Sequence, residues 1–132
     1  SKASSQSYGL VAADAGHLIS VQVTGSLTGY AQINRSSDTR LVPLLEFKVP
    51  KIPTLSGTPK VGSTLKIATT PWAAGAKISY EWLLDGKLIK NQQMQTLKIL
   101  PSYKGKKISA RVTQKSLGYV DKTVLSSTLK IN

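Results

Sequence analysis

His17 is the single histidine of the chain. One imidazole gives a Ser-His-Asp triad or a His-based metal cluster little to work with, and no paired His/Asp/Glu spacing supplies further ligands. Cysteine is absent, which excludes disulfides, thiolate metal sites and a thiol nucleophile. The 6 Asp and Glu residues are scattered, so a carboxylate pair flanking a glycosidic bond is not expected. No glycine-rich phosphate loop opens a helix. Glu81 would assist a Lys–Asn isopeptide crosslink only from a buried position, and its place in an alternating stretch points it outward. These residue types predict no catalytic site, no metal and no cofactor; the chain reads as a non-enzyme.

Binding chemistry has better candidates. Trp72 follows Pro71 in the loop Thr69-Thr-Pro-Trp-Ala-Ala-Gly75. A loop indole can stack on a sugar ring or enter a lipid interface. The plainer reading, which the sequence favours, is a plug over the end of the fold. Lys77, Lys107 and Arg111 fall on outward faces of alternating stretches, where a polyanion can lie across them. Here too the plainer reading is preferred: a solvated face on which Arg111 pairs with Glu81 across two strands, a pair worth little.

The charge is lopsided: 18 Lys and Arg stand against 6 Asp and Glu, a net of +12. Residues 1–49 hold Lys2, Arg35, Arg40 and Lys48 against Asp14, Asp38 and Glu46, a net of +1, which leaves +11 for the rest. Such a field steers polyanions such as teichoic acid, anionic lipid or nucleic acid, and it equally serves solubility. Nucleic-acid contact is expected to be nonspecific only. Tyr80 and Trp82 face inward, so stacking platforms interleaved with basic residues are lacking.

The elements that carry these residues recur. Gly16, Ile19, Ser20, Val23, Thr24, Gly29 and Tyr30 match Gly105, Ile108, Ser109, Val112, Thr113, Gly118 and Tyr119, each 89 positions later. Leu10 and Val11 face Ile99 and Leu100 at the same offset. A fixed offset without gaps marks a repeat of about 85–90 residues. The second unit then spans 50–132. The first is present only from its middle onward, as residues 1–42, and 43–53 forms a joint stiffened by Pro43, Pro50 and Pro53 that overlaps the next strand. Residues 1–42 cannot bury much core alone, so they are expected to borrow strands from a second chain, a route to self-association, or to pack on the second unit, and otherwise to be poorly ordered. At 1–5 the Ser-Lys-Ala-Ser-Ser stretch lacks a basic-then-apolar leader and is expected to be the start of a trimmed chain. No apolar run is long enough to span a bilayer.

Within the second unit, strand signals alternate with turns. Ile52 to Ser56 is followed by the turn around Gly57 and Pro59, then Ser63 to Thr70. Lys77 to Leu84 places Ile78, Tyr80, Trp82 and Leu84 on one face, with Trp82 as core anchor. Asp85-Gly86 predicts a tight hairpin into Lys87 to Lys90. Thr96 to Leu100 and Lys107 to Thr113 follow, and Thr123 to Ile131 closes the unit with Leu125, Leu129 and Ile131 on one face. About seven strands in some 80 residues predict an all-β sandwich.

The motifs Gly57-Thr-Pro-Lys-Val-Gly-Ser-Thr-Leu65, Trp72, Ile78-Ser-Tyr-Glu-Trp-Leu-Leu-Asp-Gly86, Gly105-Lys-Lys-Ile-Ser-Ala-Arg-Val-Thr113 and Gly118-Tyr119 resemble the immunoglobulin-like tandem repeats of actinobacterial secreted and cell-surface proteins. Residues Leu10 to Tyr30 resemble the second half of one such repeat. The resemblance implies an immunoglobulin-like β-sandwich, one complete repeat preceded by the C-terminal half of another. It implies a non-catalytic accessory module, secreted or held at the cell surface in the cell wall, that acts as spacer and cell-envelope interaction domain. The alternative is a module binding carbohydrate or an anionic wall polymer, with cell-wall polysaccharide or teichoic acid as partner.

Overall fold

A computed structural model describes residues 4–48 and 51–132. Pro50, one of the three prolines assigned to the joint, lies outside the described residues. The chain is all-β: among the described residues twelve short strands form several antiparallel sheets, accompanied by two single 3-10 turns. It divides into two compact units. One takes the chain up to Leu45 together with Leu117–Tyr119; the other takes Glu46–Ser116 and Val120–Asn132.

The larger unit holds strands β5 (Thr54–Ser56), β6 (Thr64–Ala68), β7 (Lys77–Leu84), β8 (Lys87–Leu88), β9 (Thr96–Lys98), β10 (Lys107–Lys115), β11 (Lys122–Leu125) and β12 (Leu129–Lys130). One sheet runs β5-β6-β9. The other runs β11-β10-β7-β8, with β12 beside β10. The period-two alternation gives each sheet one apolar face. Leu65, Ile67 and Leu97 from the first sheet meet Trp82, Ile108, Ala110, Val112 and Ile131 from the strands and end of the second in one buried cluster. This two-sheet core is a β-sandwich. Trp82 is its largest member, wholly inaccessible, and its indole N–H donates to the Met94 carbonyl at 2.9 Å.

The turns follow from residue chemistry. Asp85 and Gly86 both have positive φ, 49° and 79°, the two-residue geometry that joins twisted strands without splaying them. Asp85 also locks the hairpin to the neighbouring strand, because its Oδ1 accepts the Lys107 N–H at 2.9 Å. Gly57 has φ +113°, and a Cβ there would stand 2.5 Å from the Thr64 carbonyl oxygen, so only glycine fits.

One sequence expectation differs from the observed elements. The closing stretch is not one strand. It breaks between β11 and β12, where the buried Ser126 accepts the Ala110 N–H at 2.8 Å and donates to the Ser127 carbonyl at 2.9 Å. Leu125 consequently points outward, away from the face of Ile131. The 43–53 stretch contributes buried residues. Phe47 is 5% exposed and the Pro53 side chain is fully buried, so the packed core of the larger unit begins ahead of β5.

The smaller unit holds β1 (Leu18–Ile19), β2 (Gln22–Gly25), β3 (Ile33–Ser36) and β4 (Arg40–Leu41). β1 pairs with β4 and β2 with β3, each as a two-stranded antiparallel ladder. Leu18 opposes Leu41 and Gln22 opposes Ser36. In the larger unit Lys107 opposes Lys130 and Arg111 opposes Leu125. Every one of these positions is displaced by 89, from 18 to 107, 41 to 130, 22 to 111 and 36 to 125. The 3-10 turns Ala12–Asp14 and Pro101–Tyr103 stand at the same displacement, and the following Gly16 and Gly105 share a φ of 78°.

Candidate functional site

Two places in the larger unit carry the sequence-predicted binding residues. The first is the loop between β6 and β7. Trp72 is half-buried there, with its ring edge-on to Phe47 at a centroid distance of 5.8 Å and an interplanar angle of 71°. The loop is held by a residue that the sequence reading did not single out. Gln114, near the end of β10, is wholly inaccessible; its Oε1 accepts the Trp72 backbone N–H at 2.8 Å. Its Nε2 donates to the Thr70 carbonyl at 2.9 Å. One amide thus supplies one acceptor and one donor, closing the backbone on both sides of Pro71. The signal was present in the alternation: Ile108, Ala110 and Val112 face inward, and Gln114 is the next inward position. A polar side chain there requires partners. The Trp72 indole N–H, by contrast, is buried without a hydrogen-bond partner.

The second place is the outer face of the β11-β10-β7-β8 sheet. The antiparallel register puts Glu81 opposite Arg111 and Lys77 opposite Lys115. Arg111 Nε donates to Glu81 Oε2 at 2.6 Å, and this hydrogen bond raises the Arg111 pKa above its ordinary value. Both side chains stay partly exposed, at 39% and 28%, so the pair is a weak surface bridge. Lys77 and Lys107 share the face but not a neighbourhood. Lys77 aligns with Lys115, eight residues along β10 from Lys107, or roughly 26 Å at the rise of an extended strand. The face therefore does not gather Lys77, Lys107 and Arg111 into one cluster. It has two basic ends, Lys107 with Lys130 at one and Lys77 with Lys115 at the other, where Lys115 Nζ lies 3.2 Å from Asp121 Oδ2. Between that end and Arg111 runs a neutral hydroxyl row. Thr113 and Thr123 share a 2.8 Å hydrogen bond, and Ser79 Oγ donates to the Thr113 carbonyl at 3.4 Å.

An open depression of about 440 Å³ lies next to the start of β10, lined by Thr58, Pro59, Lys60, Val61, Pro101, Lys104 and Asn132. It holds two lysines and no acid. Among the described residues no group of three or more His, Cys, Asp or Glu side chains could hold a metal ion. His17 is exposed, with its Nδ1 3.1 Å from the Ala15 carbonyl oxygen. Among the described residues no helix is long and apolar enough to cross a membrane.

No family model matches the sequence, and comparison with curated proteins finds no significant match.

Proposed function

We propose that the chain is a non-catalytic immunoglobulin-like module, one complete repeat preceded by the second half of another. It acts as spacer and cell-envelope interaction domain of a secreted or cell-surface bacterial protein. The observation that carries the reading is the 89-residue displacement, which holds in side-chain detail. Ser37 Oγ accepts the Val21 N–H and donates to the Asp38 carbonyl, as Ser126 Oγ accepts the Ala110 N–H and donates to the Ser127 carbonyl. Gly16 N–H donates to the Val42 carbonyl as Gly105 N–H donates to that of Ile131. A unit that recurs in one chain with its own internal ladder adds length with each copy, which is what a spacer needs.

The state of Trp72 supports the spacer over a sugar-stacking site. Its ring is half-buried against Phe47 and its backbone is clamped by Gln114, so the indole closes the sandwich end rather than standing free. The separation of Lys77 from Lys107 supports a diffuse basic field over a built polymer site.

The test is retention of the purified chain on insoluble bacterial cell wall, with and without teichoic acid, across a salt series. A spacer with a generic field is retained only at low salt, since screening shortens the reach of exposed charge to about 8 Å at physiological ionic strength. Retention that survives physiological salt and depends on one polymer would overturn the spacer reading in favour of a wall-polymer-binding module.

A further inference from the structure

The larger unit holds a second open depression, of about 340 Å³, between the β7–β8 hairpin and the 3-10 turn Pro101–Tyr103. Leu84, Leu88 and Ile89 form its apolar wall, Lys87 and Lys106 flank it, and Tyr103 lies at its floor. Tyr103 is 8% exposed and belongs to the core cluster. A buried tyrosine ordinarily finds a partner for its hydroxyl, yet this one has none among the described residues. It is not sealed off either: the buried, partnerless side-chain polar atom among the described residues is Trp72 Nε1. The smaller unit uses the same position differently. Asp14 stands 89 positions ahead of Tyr103, and its carboxylate accepts the Val11 N–H and the Tyr8 hydroxyl, each at 2.9 Å. Both turns are closed by the same backbone bond, Asp14 N–H to the Val11 carbonyl and Tyr103 N–H to that of Leu100. The turn of the larger unit therefore forms without any help from its side chain. The charges leave capacity unused as well. Neither Lys87 nor Lys106 has an ion-pair partner among the described residues. The one acid lining the depression, Asp85, is committed to the hairpin, since its Oδ1 accepts the Lys107 N–H at 2.9 Å.

We infer that this depression is a binding site for an aliphatic carboxylate of about amino-acid size. The partnerless side-chain groups around it are all donors: one O–H and two ammonium groups. Donors of this kind hold an anion through charge-assisted hydrogen bonds. No arginine lines the depression, so it lacks the planar fork that suits a phosphate, whereas a hydroxyl and two point charges match the two oxygens of a carboxylate. The three aliphatic side chains then take the carbon chain, in the usual pattern of a mostly apolar pocket with a few polar groups fixing orientation. A sugar ring fits less well, because the Tyr103 face that would stack on it is sunk among core residues. The depression lies wholly within the larger unit, and this site and the spacer reading do not depend on each other.

The probes are N-acetyl-leucine and isocaproate, titrated into isotopically labelled full chain and followed by amide NMR. They should shift the amides of 84–89 and 103–107 saturably, with a Kd on the order of a few millimolar, the range open to ligands of this size. The tighter binder of the two tells a peptide terminus from a free aliphatic acid. Tyr103→Phe is the decisive variant. It removes one partnerless oxygen and no charge, so the urea midpoint should stay where it is while affinity falls about tenfold, the worth of one hydrogen bond to a charged group. A diffuse basic field does not produce that loss, because the net charge is unchanged. Lys106→Gln should weaken binding as well, and N-acetyl-leucine amide, which lacks the carboxylate, should bind about tenfold more weakly. Equal affinity for the amide, equal affinity in Tyr103→Phe, or equal binding of inorganic phosphate would each overturn the site. A lower urea midpoint in Tyr103→Phe would overturn it too, by showing that the hydroxyl already has a partner inside the protein.

Discussion

Replacing Gln114 by methionine tests the clamp that makes Trp72 a structural residue. The substitution keeps length and removes both polar atoms, so packing in the inaccessible site changes little. Two hydrogen bonds are lost, to the Trp72 N–H and the Thr70 carbonyl. The two halves do not cost the same. Thr70 is exposed, so water replaces the donor at its carbonyl and the loss is about 1 kcal/mol. Trp72 is half-buried, and its N–H left without an acceptor carries a desolvation cost of about 1–3 kcal/mol. The expected destabilisation is therefore about 2–4 kcal/mol by urea unfolding. The loop should also loosen before the core does. Trp82 is wholly inaccessible, so acrylamide quenching of native fluorescence reports Trp72 and should rise in the variant at concentrations of urea well below the midpoint. A variant within about 0.5 kcal/mol of the parent, the usual scatter of a neutral surface change, with unaltered quenching, would refute the clamp. Trp72 would then be held by Phe47 alone.

Three further results are expected. Ser126→Ala should cost about 1–3 kcal/mol, because it strands the buried Ala110 N–H; Ser37→Ala should cost less, because the equivalent Val21 N–H is exposed to water. Urea titrations of both variants check this, and equal losses would count against it. The Asp14 carboxylate accepts the Val11 N–H and the Tyr8 hydroxyl, each at 2.9 Å, and these bonds, the backbone one foremost, hold its pKa below the usual carboxylate value. A depressed folded pKa means that the stabilisation of the Ala12–Asp14 turn is present above the unfolded pKa and fades as pH falls through the folded one. An NMR titration should show the Val11 amide shift following Asp14, and Asp14→Asn should remove that pH dependence. Finally, a double-mutant cycle on Arg111 and Glu81 should return a coupling of about 0.2–1 kcal/mol that shrinks in high salt.

How much of this was legible in the sequence depends on what alternation can report. A period of two assigns a face, and it placed Trp82 inside and Glu81 and Arg111 outside. It does not report position along the sheet. Lys77 and Lys107 share a face, yet the antiparallel register carries them to opposite ends of β10 and brings Lys77 to Lys115 instead. That pairing follows only once both strand directions and the register are fixed. The break between β11 and β12 was hidden for a different reason. Leu125, Leu129 and Ile131 continue a plausible alternation, whereas Ser126 turns inward to take a backbone N–H from β10. A serine side chain that substitutes for a ladder bond leaves no hydrophobic trace. The repeated Ser37 does the same work for Val21, and that recurrence was the available clue.

The charge distribution decides what kind of polyanion contact the larger unit can make. A built site concentrates its cations so that losing one removes most of the affinity, whereas a field spreads the loss over many. On the outer face of the β10 sheet, Arg111 is already paired with Glu81 and Lys115 lies beside Asp121, and the row between them is neutral. Lysines also stand on the opposite sheet, where Lys66 and Lys98 occupy exposed positions of β6 and β9, and around the depression at Lys60 and Lys104. No face holds them all. A field spread in this way would act on an anionic polymer as a sum over the whole unit, falling steeply with salt and changing by similar steps for each lysine removed.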